Sequence, residues 1–365
     1  MNQEKKTPFY DKHLKSDAKI VNFAGFLMPI FYEGINAEHL QVRKSVGVFD
    51  VSHMGEFNVE GENALEYLQK LTINDVSALV NDQVQYTAMC YDNGGIVDDL
   101  LLYRFNENKF LMVVNGSNIE KDFQWAKDHL IKGVELKNNS DQIGLLAIQG
   151  PNSLKTLQKL TNVNLSDIDF YHFTEGKLAG IDMIISRTGY TGELGFELYH
   201  DISFSEKLWN VIFEAGEEYD IKPVGLGSRD TLRMEMKYCL YGNDIDKTTN
   251  PIEAGLSWIT ELNCGDFVGK DALLKVKKEK PNRRLVIFKV EGRRIARHGY
   301  IIFVGDEEVG VVTSGTQSPS LKEGIGIGYV KRGHTKSGNE IEIDIRGKRY
   351  KAVIVKPPVV DSSPF

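Results

Sequence analysis

Between residues 83 and 115 the chain runs QVQYTAMCYDNGGIVDDLLLYRFNENKFLMVVN. Two runs rich in β-branched and aromatic side chains flank Asn93-Gly94-Gly95, residues that readily take positive φ. The spacing predicts a hairpin, with KFLMVVN (109–115) as a third strand. Side chains alternate along a strand, which places Asp99 with Val97, Leu101 and Tyr103, and Asp98 with Ile96, Leu100 and Leu102. At least one of these carboxylates then sits among apolar neighbours, where an unpaired charge is costly. Either both stay solvated at the hairpin mouth, or one is held in a cleft to steady a developing cation or orient an amine.

Helical periodicity brackets this unit. ENALEYLQKL (62–71) precedes it, and a helix carrying Ile119, Phe123, Trp125, Ala126 and Leu130 follows, with Ser117 or Asn118 as cap. A second set begins with the buried-type strand IGLLAIQG (143–150) and the helix SLKTLQKL. GIDMIISRTGYTGELGFELYH reads as paired strands hinged at Gly189 to Gly195, and SFSEKLWNVIFEAGEEY as an amphipathic helix. Gly225-Leu226-Gly227-Ser228 opens the helix RDTLRMEMKY, with Ser228 as N-cap. KVKKEKPNRR (275–284) reads as a charged linker. Beyond it lie only short β runs, as in a small barrel or sandwich, and Gly324-Ile325-Gly326-Ile327-Gly328 reads as a strand packed closely on another. The class is α+β with an all-β C-terminal domain.

A chain of 365 residues implies two or three domains, and 41% hydrophobic with 26% charged residues is an ordinary globular balance. The net charge of −7 disfavours a broad phosphate-binding surface, so nucleic acid is not an expected partner. Cys90, Cys239 and Cys264 have no zinc or haem spacing, and their odd number suits a reducing compartment. MNQEKKTPFYDKH lacks an apolar secretion segment, and no run of 18 apolar residues occurs. The expectation is a cytoplasmic protein without membrane span or metal. Phosphate-loop, HExxH and GxSxG signatures are missing from the sequence.

Tyr86, Tyr103 and Asn115 fall on the three strands of the first unit, and their bodies and polar tips suit a flat heteroaromatic ligand. Glu197, between Phe196 and Leu198, either forms a structural salt bridge or accepts paired N–H bonds from a guanidine-like ring edge such as a pterin's. Arg229 is the candidate partner under both readings. Arg229 and Arg233 stand four apart on one helix face.

These residues bring a family into view. Thr7-Pro8, His13, Phe49-Asp50-Val51-Ser52-His53-Met54-Gly55, Gly94-Gly95-Ile96-Val97-Asp98-Asp99 and Val113-Val114-Asn115 resemble the T-protein family of the glycine cleavage system. The resemblance continues through Gly189-Tyr190-Thr191-Gly192-Glu193 and Arg229-Asp230-Thr231-Leu232-Arg233 to Tyr238-Cys239-Leu240-Tyr241-Gly242-Asn243-Asp244, covering nearly the whole chain. It implies three lobes around a folate channel: 1–51 with 143–245, 52–142 with 246–278, and a C-terminal β-barrel at 279–365. It implies Asp99 as the catalytic carboxylate, with Tyr86, Tyr103, Asn115, Tyr190, Glu197 and Arg229 lining the folate pocket and Trp258 at its side.

The implied activity is transfer of a one-carbon unit from the aminomethyl-lipoyl arm of the H protein to tetrahydrofolate, a co-substrate, with release of ammonia and no metal. A folate-dependent demethylase of a small sulfonium or methylamine compound fits the same carboxylates. A non-catalytic iron–sulfur assembly factor would carry a KGC-x-x-GQE-like motif, where this chain has Lys237-Tyr238-Cys239-Leu240-Tyr241-Gly242-Asn243-Asp244. Two stretches depart from the family pattern: the ending KPPVVDSSPF, and Lys237-Tyr238, where small residues are usual before Cys-Leu-Tyr-Gly. Arg293, Arg294 and Arg297 offer either a basic approach for the lipoyl protein or a solvated barrel face.

Overall fold

A computed structural model describes residues 4–361, so Met1–Gln3 of the N-terminal stretch and Ser362–Phe365 of the divergent ending lie outside the described residues. The 83–115 segment folds as an antiparallel meander of Gln83–Cys90, Ile96–Asn106 and Lys109–Val114. Gly55–Glu60 and Glu135–Asn138 extend it to a five-stranded sheet. The helix Ala64–Leu71 packs on one face of this sheet, placing Tyr67, Leu68 and Leu71 against Phe57, Leu102 and Phe110.

The expected alternation fails at one point. Met89 pairs with Asp98 but Cys90 pairs with Ile96, so Val97 is an extra residue bulged out of the ladder. Val97 turns into the core beneath the sheet with Leu100 and Leu102, and does not share a face with Asp99. Asp98 is wholly buried, so the solvated hairpin mouth does not exist.

The second sheet has six strands in the order Phe173–Leu178, Ile181–Ser186, Gly195–Asp201, Ile143–Gln149, Gly47–Asp50, Lys222–Pro223. Only the last pairing is parallel. The helix Ser205–Gly216 buries Leu208, Trp209 and Ile212 in its core. Phe49, Val51, Leu145 and Tyr199 of this sheet meet Val84, Tyr103, Leu111 and Val113 of the first in a shared apolar cluster. That cluster holds the two sheets together and forms the floor of the site. The C-terminal β runs close into a six-stranded barrel spanning Arg283 to Val355. A Cβ on Gly326 would lie 2.4 Å from the Phe288 ring, the close strand packing that its glycine run implied.

Local readings needed three corrections. The first half of the stretch read as a linker is the end of a helix, Lys270–Glu279, anchored by the buried Leu273 and stopping before Pro281, and its last two residues open the strand Arg283–Val290. Ser228 is not an N-cap: the helix starts at Leu226 behind Gly225, and the Ser228 hydroxyl donates back to the Gly225 carbonyl at 2.8 Å. Glycine permits that early start, since a Cβ on Gly225 would lie 2.5 Å from the Ile30 backbone. Asn118 does precede the helix Ile119–Asp128, but its amide serves Asp98 instead of capping, and Leu130 lies past the helix end. The N-terminal sheet of Lys5–Lys6, Lys19–Phe23 and Phe26–Phe31 had no legible pattern. Among the described residues no helix is long and apolar enough to cross a membrane.

Candidate active site

A cavity of about 1440 Å³ opens where the two sheets, the helix Leu226–Met236 and the barrel converge. Small-molecule pockets typically span roughly 300–1,000 Å³, so this one has room for more than a single compact ligand. Asp99, Tyr86, Asn115, Tyr190, Glu197, Arg229 and Trp258 all line it.

Asp99 is held from two sides. The Tyr86 hydroxyl donates to its Oδ2 at 2.8 Å, and the Asn115 Nδ2 amide lies 3.0 Å from its Oδ1. The same amide lies 2.9 Å from Asp98 Oδ1 and 3.0 Å from the Asp99 carbonyl. Asn115 is thus a clamp on the acidic pair, since its two N–H donors are already engaged. Asp98 also accepts the Asn115 backbone N–H at 3.0 Å and the Asn118 amide at 2.7 Å.

Beneath this pair lies the wholly buried Asp122, which burial and the adjacent Asp98 push up to about 11, so it stays protonated at neutral pH. Its nearest cation, Lys121, stands 3.5 Å away. Burial first and the charge of Asp98 second push Asp99 up to about 7. A carboxyl in that range can both hold and release a proton near neutrality.

Glu197 faces the cavity from the strand Gly195–Asp201, with Thr188 Oγ1 donating to its Oε2 at 2.5 Å. Burial raises its proton affinity, and the Thr188 bond and the Arg229 charge oppose that. The expected ion pair between Glu197 and Arg229 is not formed. The Arg229 guanidinium instead stands 4.7 Å from the centre of the Tyr190 ring. Tyr190 stacks in turn on Tyr238 at 5.5 Å, and its hydroxyl donates to the Cys239 carbonyl. Arg233 leaves the expected solvated face altogether: it is buried between Asp230 Oδ1 at 2.8 Å and Asp244 Oδ2 at 2.5 Å.

Tyr103 is not among the lining residues. It is fully buried in the wall behind, its hydroxyl 2.9 Å from that of Tyr199 and 3.1 Å from Ser186 Oγ. Trp258 lies at the other extreme, 71% exposed at the mouth with its ring 5.9 Å from that of Tyr86.

Other lining residues carried weaker signals. Tyr199 follows Glu197 by two positions, so strand alternation gives both the same face. His53 belongs to the quoted FDVSHMG run, and burial lowers its pKa to about 4, so it faces the cavity neutral. Tyr171 reaches the cavity from a loop, where no periodicity could announce it. Thr7, His13 and Asp50 of the motif are structural: Asp50 Oδ2 accepts Thr7 Oγ1 at 2.5 Å and lies 2.8 Å from His13 Nε2.

Known proteins resemble this chain over nearly its whole length. Residues 9–264 match the GCVT N-terminal domain, and residues 283–361 match the glycine cleavage T-protein C-terminal barrel domain. The aminomethyltransferase of Bacteroides fragilis is 55% identical over 357 residues, covering 97% of this chain and 99% of the relative. That of Halothermothrix orenii is 51% identical, covering 98% of this chain and 100% of the relative. The crystal structure of the glycine cleavage system aminomethyltransferase T from Bartonella henselae superposes with a TM-score of 0.93 at 33% identity, covering 99% of both chains. With both domains matched and relatives this similar end to end, the chain belongs to the T-protein family of glycine cleavage aminomethyltransferases.

Proposed function

We propose that this chain performs its family's transfer through Asp99, with tetrahydrofolate in the cavity and the aminomethyl-lipoyl arm of an H protein as the second substrate. The observation that carries the reading is a carboxyl poised near neutrality on the wall of a large cavity, fixed by Tyr86 and Asn115. The same reading divides the chain into 1–51 with 143–245, 52–142 with 246–278, and 279–365, the cavity lying where the three meet.

The reaction needs no oxidant. The transferred carbon loses its bonds to the lipoyl sulfur and the amine nitrogen and gains bonds to two folate nitrogens. Each folate nitrogen gives up a proton; one leaves with the thiol and the other with ammonia. Asp99 as the anion steadies the cation that forms when the first of the carbon's bonds breaks, and then accepts a proton from the attacking nitrogen. As the acid it returns that proton to the departing group. Tyr86 and Asn115 hold the carboxyl in one orientation throughout, which lowers the reorganisation required. Glu197 grips the amino and ring N–H edge of the pterin, with Tyr190 and Arg229 orienting the ring. Aromatic side chains at the mouth exclude water, which would otherwise carry off the one-carbon unit.

Ligand linkage tests the binding half. Tetrahydrofolate at 100 times its Kd is expected to add about 2.7 kcal/mol of stability and raise the melting temperature, whereas nicotinamide and flavin cofactors leave it unchanged. In Glu197→Gln one acceptor becomes a donor facing a donor, so folate affinity is expected to drop roughly tenfold or more. Unchanged affinity in that variant overturns the pterin-edge assignment.

A further inference from the structure

The helix Leu226–Met236 ends on an unusual residue. Lys237 has φ +61° and ψ +33°, the left-handed conformation that helix ends commonly give to glycine. A lysine there bears a steric cost that glycine would avoid.

Lys237 lines the cavity and is half-buried, yet its ammonium makes no hydrogen bond or ion pair with the described residues. The other cations on the wall are differently placed. Arg233 is saturated by Asp230 and Asp244, Arg229 lies over Tyr190, and Arg297 is solvent-exposed. Desolvation lowers the pKa of Lys237, and the charge of Asp244, itself paired with Arg233, opposes this without cancelling it. The ammonium rests beside Gly255, where a Cβ would come within 3.4 Å of Nζ. Gly255 lines the cavity three residues from the exposed Trp258.

The order of groups along the cavity follows from contacts. Glu197 and Arg229 occupy the inner wall, and Asp99 is joined by hydrogen bond to Tyr86. Tyr86 packs on the exposed Trp258 at the mouth, and Lys237 Nζ lies beside Gly255, three residues before Trp258 in the chain. The helix carries the chain from Arg229 to Met236, about 10 Å at 1.5 Å per residue, with Lys237 one residue beyond its end. With a pterin seated at Glu197, that offset matches an arm of one aromatic ring and an amide reaching toward the mouth.

We infer that Lys237 is the receptor for the carboxylates of the glutamate tail of the folate co-substrate, and that it sets the preference for longer, more anionic tails. The inference rests on the folate reading above. It gives the unpaired ammonium a partner and explains why a lysine occupies a position that favours glycine.

The test compares ligands with and without the tail on the full chain. Wild type, Lys237→Gln and Lys237→Gly are titrated with tetrahydrofolate, its triglutamate form and 6-methyltetrahydropterin, which lacks the tail. Both variants are expected to lose roughly five- to tenfold in affinity for tetrahydrofolate, and more for the triglutamate, while their affinity for 6-methyltetrahydropterin stays within about twofold. Lys237→Gly is also expected to melt above wild type, because it relieves the backbone while weakening the tail. Equal losses for all three ligands, or no loss for any, overturn the inference and leave the folate reading intact. A wild type that binds none of the three overturns the folate reading itself, and this inference with it.

Discussion

Burial beside Asp98 brings the Asp99 carboxyl to about 7 from its ordinary 3.8, and this sets how its protonation couples to folding. Between these values the native state holds a proton that the unfolded chain has released. The stability owed to this group therefore falls as pH rises from about 4 to about 7 and is level above that. Asp99→Asn removes the titration, so its melting temperature relative to wild type is expected to climb across that window. A difference that stays constant with pH contradicts the assignment. The residue-level pattern was only half legible in the sequence. Spacing put a carboxylate against apolar neighbours, but the bulge at Val97 and the buried Asp122 beneath Asp98 depend on partners distant in the chain.

The hairpin Gln83–Asn106 carries Asp99, the proposed catalytic group, and its turn is fixed from outside the sheet. The Ile96 amide donates to the Asp246 and Thr249 carbonyls, and a Cβ on Gly95 would fall 2.1 Å from the Lys247 carbonyl. Gly95→Ala must push that backbone away, at an expected cost of about 1–3 kcal/mol in urea unfolding, with activity falling further as Asp99 shifts. Unchanged stability means that the 246–249 loop yields freely and does not position the turn. Elements with strong periodicity, such as this hairpin, Ser205–Gly216 and the barrel strands, were legible because each buries one face locally. The end of Lys270–Glu279 was misread as linker because its charged composition hid a helix anchored by one buried residue, Leu273. The start at Leu226 was missed because it depends on how closely the Ile30 backbone approaches.

At the scale of the molecule, one buried ionic network ties the barrel to the cavity wall. Asp244 accepts from Arg233, from Thr313 Oγ1 at 2.5 Å and from Ser314 Oγ at 2.8 Å, the last two on a barrel strand. Asp244→Ala strands the buried Arg233 cation, and a loss of about 3–5 kcal/mol is expected in equilibrium unfolding. A loss below about 1 kcal/mol, the range of exposed pairs, contradicts that role. This convergence was not legible from composition or periodicity. The barrel was predictable as a separate unit, but its seat on Arg233 joins residues some eighty positions apart. The family resemblance supplied the arrangement that local patterns lacked.

In the proposed mechanism Asp99 acts on the chemistry and not on binding. The direct measurement is ammonia release from aminomethyl-lipoyl H protein by Asp99→Asn at saturating tetrahydrofolate, with folate affinity determined on the same preparation. Affinity is expected to stay within about threefold of wild type, with a release rate lower by about 100-fold or more. Release within a few-fold of wild type would contradict it.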